Sequence, residues 1–214
     1  MDLLTELSNV ANSEKAYQMA KYMRNQFPFF GIPAPERKKI FQTYMKTIDS
    51  KTIDWNFVEE CWKKEQREWQ YIAIDYLIKL KKQLMMSDIP RLKQLITMKS
   101  WWDTVDGLDE LLGYLALQNP EVEKLMLDWS QDKNFWVRRV AINHQLLRKK
   151  QTNTRLLEQI LCNNLNDTEF FINKAIGWSL RDYSKTNPEW VRQFIKTYKE
   201  HMAPLSIREA SKYI

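Results

Sequence analysis

Four side chains in this 214-residue chain could act together on a reaction that separates charge: Trp102, Asp106, Arg139 and Trp178. Indole faces attract cations through their quadrupoles, a carboxylate stabilises positive charge as it develops, and a guanidinium grips anions through charge-assisted hydrogen bonds. Each has an ordinary structural alternative. Tryptophans at helical spacing usually pack in a core, and Trp55, Trp62, Trp69, Trp129 and Trp190 are read that way. Asp106 follows Trp101, Trp102 and Asp103, which open a helix, and a carboxylate there interacts favourably with the helix dipole in any case. His144 reads as a hydrogen-bonded structural histidine. The register of the elements that carry them singles out the four.

Those elements are helices. Four glycines and seven prolines are too few for the turns of a sandwich or barrel, and Leu, Lys, Glu, Gln, Met and Ile favour helix. Pro35, Asp54, Ser87, Pro120, Asn134, Asp167, Pro188 and Pro204 each sit at or near a helix start. Between them, REWQYIAIDYLIKL, PEVEKLMLDW and PEWVRQFIKTY carry apolar residues at three- and four-residue spacing, so roughly a dozen short helices are expected. The pairs Ala73-Ile74, Gly107-Leu108, Ala141-Ile142 and Ala175-Ile176 recur every 34 residues, each four or five residues after an aromatic: Trp69, Trp102, Trp136 and Phe170/Phe171. A period of that length implies stacked helical hairpins. The tetratricopeptide repeat shares the period, but its Trp, Leu-Gly and Tyr placements do not recur, so HEAT-like antiparallel pairs in a superhelical solenoid are expected, as one domain over 1-214.

Taking the Ala/Gly position as zero, positions −5, −1 and +3 share one helical stripe, while the aliphatic at +1 is turned ~200° from −1. The stripe is therefore expected to face away from the core. It carries Trp102, Asp106 and Glu110 in one repeat, Trp136, Val140 and His144 in the next, and Lys174 and Trp178 in the one after. Arg139 at −2 lies ~60° from the −5 column, whereas Arg138 lies ~160° from −1, which selects Arg139 as the inward-facing arginine. Stacking would bring Trp102, Asp106, Arg139 and Trp178 onto one continuous surface.

An apolar content of 44% with 13% aromatics describes a globular chain rather than a disordered one. No stretch reaches the ~18 apolar residues of a membrane span, and the N-terminal MDLLTELSNVANSEKAYQ is acidic and polar where a signal peptide would be basic and then apolar. A cytoplasmic location is expected. Cys61 and Cys162 stand apart without CxxC spacing, so reduced thiols and no metal are expected. The net charge of +6 leans towards a polyanionic partner, although the runs at Arg37 to Lys39, Leu80 to Lys82 and Arg148 to Lys150 read more simply as solvated helix ends.

KSWWDTVD (99–106), FWVRRVAI (135–142), FFINKAIGWSLRDYSKTNP (170–188) and APLSIREASKYI (203–214) resemble the AlkD-type DNA alkylation repair glycosylases, and MAKYMRNQFPFFGIPAPERKKI (19–40) extends the resemblance over nearly the whole chain. It implies a HEAT-like superhelix with double-stranded DNA along its concave face, and excision of N3-alkyladenine and N7-alkylguanine by cleavage of the N-glycosidic bond. The family's lesion-site residues match Trp102, Asp106, Arg139 and Trp178, with Tyr22 and Lys174 as further DNA contacts and Arg139 on a phosphate beside the lesion. A monofunctional, monomeric enzyme that needs no cofactor is expected. Two other classes keep the same features: a non-catalytic HEAT-like protein that recognises DNA structure, and a protein-interaction solenoid whose aromatic stripe receives a partner helix.

Overall fold

The computed structural model describes residues 2–48 and 51–214, and among them it contains thirteen α-helices and no strand. Their contacts divide the chain into two compact units, Met1–Leu84 and Met85–Ile214. The first unit holds α1 (Leu3–Asn9), α2 (Ser13–Tyr22), α3 (Ala34–Met45), α4 (Trp55–Lys63) and α5 (Arg67–Lys79). The second holds α6 (Ile89–Thr97), α7 (Trp102–Gln118), α8 (Pro120–Trp129), α9 (Phe135–Asn143), α10 (Thr154–Cys162), α11 (Phe170–Ser184), α12 (Pro188–Tyr198) and α13 (Pro204–Ala210). Among the described residues no helix is long and apolar enough to cross a membrane.

Eight of the thirteen helices start where a polar side chain accepts otherwise unpaired backbone N–H groups. Asp54 accepts from Phe57, Asn119 from Glu121, Asn134 from Trp136, Asn153 from Leu156, Glu169 from Phe171 and Asn187 from Trp190, while Pro120, Pro188 and Pro204 occupy first helical positions. Asp167 stands outside α11 and accepts from the Glu169 N–H instead.

In the first unit the loop before α3 is organised by one buried carboxylate. Glu68 accepts from the backbone N–H groups of Phe30, Gly31 and Ile32 at 3.0, 2.9 and 3.1 Å, while the neighbouring Arg67 guanidinium lies 3.7 Å from the Phe27 ring centroid. Gly31 has φ +85, and a Cβ there would strike the backbone of Asn12 and Ala16, so glycine is required at this bend.

In the second unit α7, α9, α11 and α13 pack side by side in that order, with α8 and α10 against α9. The 34-residue register is the packing register: Ala141, Ile142, Ala175 and Leu108 are wholly buried and Ile176 nearly so. Each fully buried aliphatic contributes roughly 1.5–3 kcal/mol. Polar side chains bridge neighbouring repeats at the same spacing. Asn164 donates to the Ser130 carbonyl at 3.0 Å, Arg148 to the Gly113 carbonyl at 3.0 Å, and Ser206 to the Asn173 carbonyl at 2.8 Å. Close approach at two of these joints needs glycine. A Cβ on Gly113 would collide with the His144 carbonyl, and one on Gly177 would sit 2.5 Å from the Glu209 Cβ.

Two expectations need correction. Arg37 and Arg148 are not solvated helix ends: Arg37 is buried against Asp75 and the Tyr71 ring, and Arg148 is buried on Glu123, Gln145 and Gly113. Only the lysines of those runs reach solvent, because an arginine fork can satisfy several acceptors inside a protein. The stripe read as facing away from the core is also buried in its middle repeat, since α9 is covered by α7 and α11 and encloses Trp136, Val140 and His144. Of the tryptophans read as core, Trp62, Trp69 and Trp129 are buried, whereas Trp55 and Trp190 are half-buried.

Candidate functional site

Arg139 leaves α9 towards α7 and meets Asp106 edge-on. Nε donates to Oδ1 at 2.7 Å and Nη2 to Oδ2 at 2.8 Å, while Nη1 donates to the Phe171 carbonyl on α11 at 2.6 Å. One guanidinium therefore ties α7, α9 and α11 together. Arg139 is 1% exposed, yet the Asp106 side chain keeps 23% of its surface open. Arg138, one residue earlier, turns the other way and is spent on Asn164, Asp167 and the Asp132 carbonyl. The choice between the two arginines made on the helical wheel agrees with this geometry.

Burial of Arg139 is completed by an aromatic wall. Phe171 lies 4.8 Å from Trp136 and 5.1 Å from Trp101 between ring centroids, and its own ring is 5.9 Å from the Arg139 guanidinium carbon. The same guanidinium carbon lies 5.6 Å from the Trp178 ring centroid. Trp102 stands one helical turn before Asp106 on α7 and is half-buried, as is Trp178. Asp106, Arg139 and Trp178 thus form one contiguous group with Trp102 beside Asp106 on its helix. Enclosed at 1% exposure, Arg139 clamps the carboxylate and keeps almost no open surface for the phosphate contact expected of it.

Trp178 has further cations around it. Lys174, Trp178 and Arg181 lie at four- and three-residue steps on one stripe of α11. The Lys174 ammonium and the Arg181 guanidinium are each 5.7 Å from the indole centroid. Both reach on to Glu209 of α13, Lys174 at 2.8 Å to Oε1 and Arg181 at 2.8 Å to Oε2, where Lys212 also donates at 2.8 Å. Glu209 is 3% exposed. The hydrogen bond from Lys174, then that from Lys212, pulls its carboxyl down to about 2. Sequence reading gave Lys174 as a contact but missed Arg181, Glu209 and Lys212. The available signal was a charged residue at 209, one period after Ala175, where earlier repeats carry Ala or Gly.

Behind the pair lies a second acid. Asp109 is buried on α7, and burial, then the charge of Asp106, raises its carboxyl well above the usual range. The charge of Arg139 and a side-chain hydrogen bond from Asn143 act in the opposite direction but do not overcome the burial. His144 donates from Nδ1 to the Ala141 carbonyl at 2.6 Å, since a carbonyl can only accept, whereas Nε2 has no partner. Burial, then the charge of Arg148, pushes its imidazole down to about 3. It is a neutral structural residue with half its polar capacity met.

Tyr22 belongs to the first unit, where it is 71% exposed and lines an apolar cavity with Met19, Phe29 and Tyr71.

The family follows from comparison with known proteins. Residues 3–214 match the DNA alkylation repair enzyme family, and the chain belongs to it. A solved structure of a predicted DNA alkylation repair enzyme from Enterococcus faecalis is 38% identical, with a TM-score of 0.87 over 95% of this chain and 96% of that one. AlkD2 from Streptococcus mutans shares the fold at 16% identity, TM-score 0.64, over 93% of this chain and 99% of that one. The Pseudomonas fluorescens alkylpurine DNA glycosylase AlkC, bound to DNA containing an abasic site analogue, also shares it at 17% identity, TM-score 0.57, over 97% of this chain and 60% of that one. No curated protein matches the chain.

Proposed function

We propose that this protein is a monofunctional DNA glycosylase that removes N3-alkyladenine and N7-alkylguanine from duplex DNA, with Asp106 as its catalytic carboxylate. The observation that carries the reading is the Asp106–Arg139 pair. A carboxylate fixed by two hydrogen bonds from a buried guanidinium keeps 23% of its surface open, on the same guanidinium that packs against Trp178. Membership in the DNA alkylation repair enzyme family, and a fold shared with the alkylpurine DNA glycosylase AlkC, support alkylated purines in DNA as the substrate.

Alkylation at N3 of adenine or N7 of guanine makes the base cationic, so it departs without being protonated and no general acid is required. As the C1′–N9 bond breaks, its electron pair leaves with the base and positive charge grows on the sugar. Asp106 stabilises that charge and orients the water whose oxygen bonds to C1′, the surplus proton passing to solvent. Arg139 contributes by holding Asp106 in one orientation before the reaction starts. The half-buried faces of Trp102 and Trp178 attract the cationic sugar and base, on the order of 0.5–2 kcal/mol for each contact. A site of this kind favours charged lesions over ordinary neutral bases.

The test is release of free base from duplex DNA containing N7-methylguanine, comparing the parent with Asp106→Asn at equal DNA binding. Release by the parent and its near loss in the variant supports the reading. Tight binding without release by either moves the assignment to a non-catalytic protein that recognises DNA structure.

A further inference from the structure

Glu209 binds three cations at once, and two of them flank a ring of the candidate site. Lys174, Arg181 and Lys212 carry three positive charges against one buried carboxylate, leaving an excess of two at one place. Their side chains are not sealed in: 25%, 27% and 46% of their surfaces are open. Three donors converging from α11 and the residues after α13 cannot do so without the acid, because like charges repel and long side chains lose rotamer freedom when fixed. The position of Glu209 is itself built. It stands one period after Ala175, where a small residue would let the helices close, and Gly177 provides the space its Cβ and Cγ occupy.

We infer that Glu209 is a positioning residue that assembles Lys174, Arg181 and Lys212 into a binding subsite for a DNA phosphate beside Trp178. This rests on the reading of DNA as substrate. Arg139 is only 1% exposed and each of its three guanidinium nitrogens already donates within the protein, so it offers a phosphate almost no open surface for such a contact. The excess charge beside Trp178 supplies it instead. A phosphodiester bridging Arg181 and Lys212 would fix the backbone next to the lesion, and Glu209 holds both donors ready for it.

The role reverses the sign expected of an acid near DNA. Removing a bystander carboxylate raises the net charge and tightens DNA binding, whereas removing the acid that arranges the donors weakens it. The measurement is the salt dependence of affinity for undamaged duplex DNA, which requires no base release, so it stays readable whether or not the protein proves to be a glycosylase. Arg181→Gln and Lys212→Gln should each reduce the slope of log K against log salt by about 0.9, the contribution of one phosphate contact. Glu209→Gln should weaken binding and reduce the slope by at least as much, with helicity and melting monitored. Lys212→Gln changes a side chain that is 46% exposed, so it keeps the test open if Glu209→Gln fails to fold. Lys124→Gln, an exposed lysine of α8, is the charge-matched control and should leave the slope unchanged. Tighter binding by a folded Glu209→Gln, unchanged slopes in Arg181→Gln and Lys212→Gln, or an equal change in Lys124→Gln would overturn the inference.

Discussion

Arg139 donates to both oxygens of Asp106 and to the backbone carbonyl of Phe171, so the carboxylate of α7 is oriented by an arginine of α9 that is itself held by α11. Replacing Arg139 with Gln leaves a partly open carboxylate and a carbonyl without their donor. A loss of about 2–4 kcal/mol is expected, less than for a fully buried pair because Asp106 is partly solvated. Arg139→Lys keeps the charge but cannot reproduce the fork, so it should recover part of the stability and little of the base release. Urea unfolding and single-turnover release separate the two effects. Full activity in Arg139→Lys would contradict the clamp.

Gly177→Ala should be costly although alanine favours helix. The new Cβ would lie 2.5 Å from the Glu209 Cβ and 3.0 Å from the Ser206 carbonyl oxygen, and neither atom is the free end of a side chain. Overpacking of this kind costs about 1–3 kcal/mol. Thermal melting should drop by several degrees, on the order expected for that energy. An unchanged melting temperature would mean that α11 and α13 are not held as closely as described.

Asp109→Asn should stabilise the protein at neutral pH. A carboxyl raised by burial binds its proton more tightly folded than unfolded, so its contribution is present below the unfolded value and is lost as pH rises through the folded one. Asparagine removes that dependence. The gain, on the order of 1 kcal/mol, should be larger at pH 7 than at pH 4 in paired urea titrations. A variant equally or more destabilised at pH 7 would show that the proton of Asp109 makes an essential bond.

The opposite sign applies to His144. With its folded pKa near 3 against 6.5 for the ordinary side chain, the unfolded chain takes up a proton that the folded one refuses. Stability contributed by His144 is present above 6.5 and lost as pH falls towards 3, by up to about 1.4 kcal/mol per pH unit. Glu209 adds a loss in the same direction only below 4.5. Subtracting the stability curve of His144→Gln from that of the parent between pH 6.5 and 4.5 should isolate the histidine. A difference curve without slope in that window would rule the assignment out.

Much of this was legible from spacing alone. The 34-residue recurrence of small-aliphatic pairs is the packing register of α7, α9 and α11, and the ~100° step per residue separates Arg139 from Arg138. The same wheel misjudged Trp136, Val140 and His144, because a wheel assigns faces to one isolated helix, whereas α9 is enclosed on two sides. Asp109 and Glu209 were missed for a related reason. What a buried acid does depends on which partners converge on it from other repeats, as Lys174, Arg181 and Lys212 do on Glu209.

The spacing of the bridging bonds has a consequence for synthesis. Asp106 receives its arginine 33 residues later in the chain, that arginine finds the Phe171 carbonyl after a further 32, and Lys174 meets Glu209 35 residues on. A nascent chain emerging from the ribosome therefore acquires these pieces one repeat at a time. Asp106 can be clamped before the cations beside Trp178 are gathered, so chains halted between α11 and α13 would hold the carboxylate in place while Lys174 and Arg181 still lack the acid that arranges them.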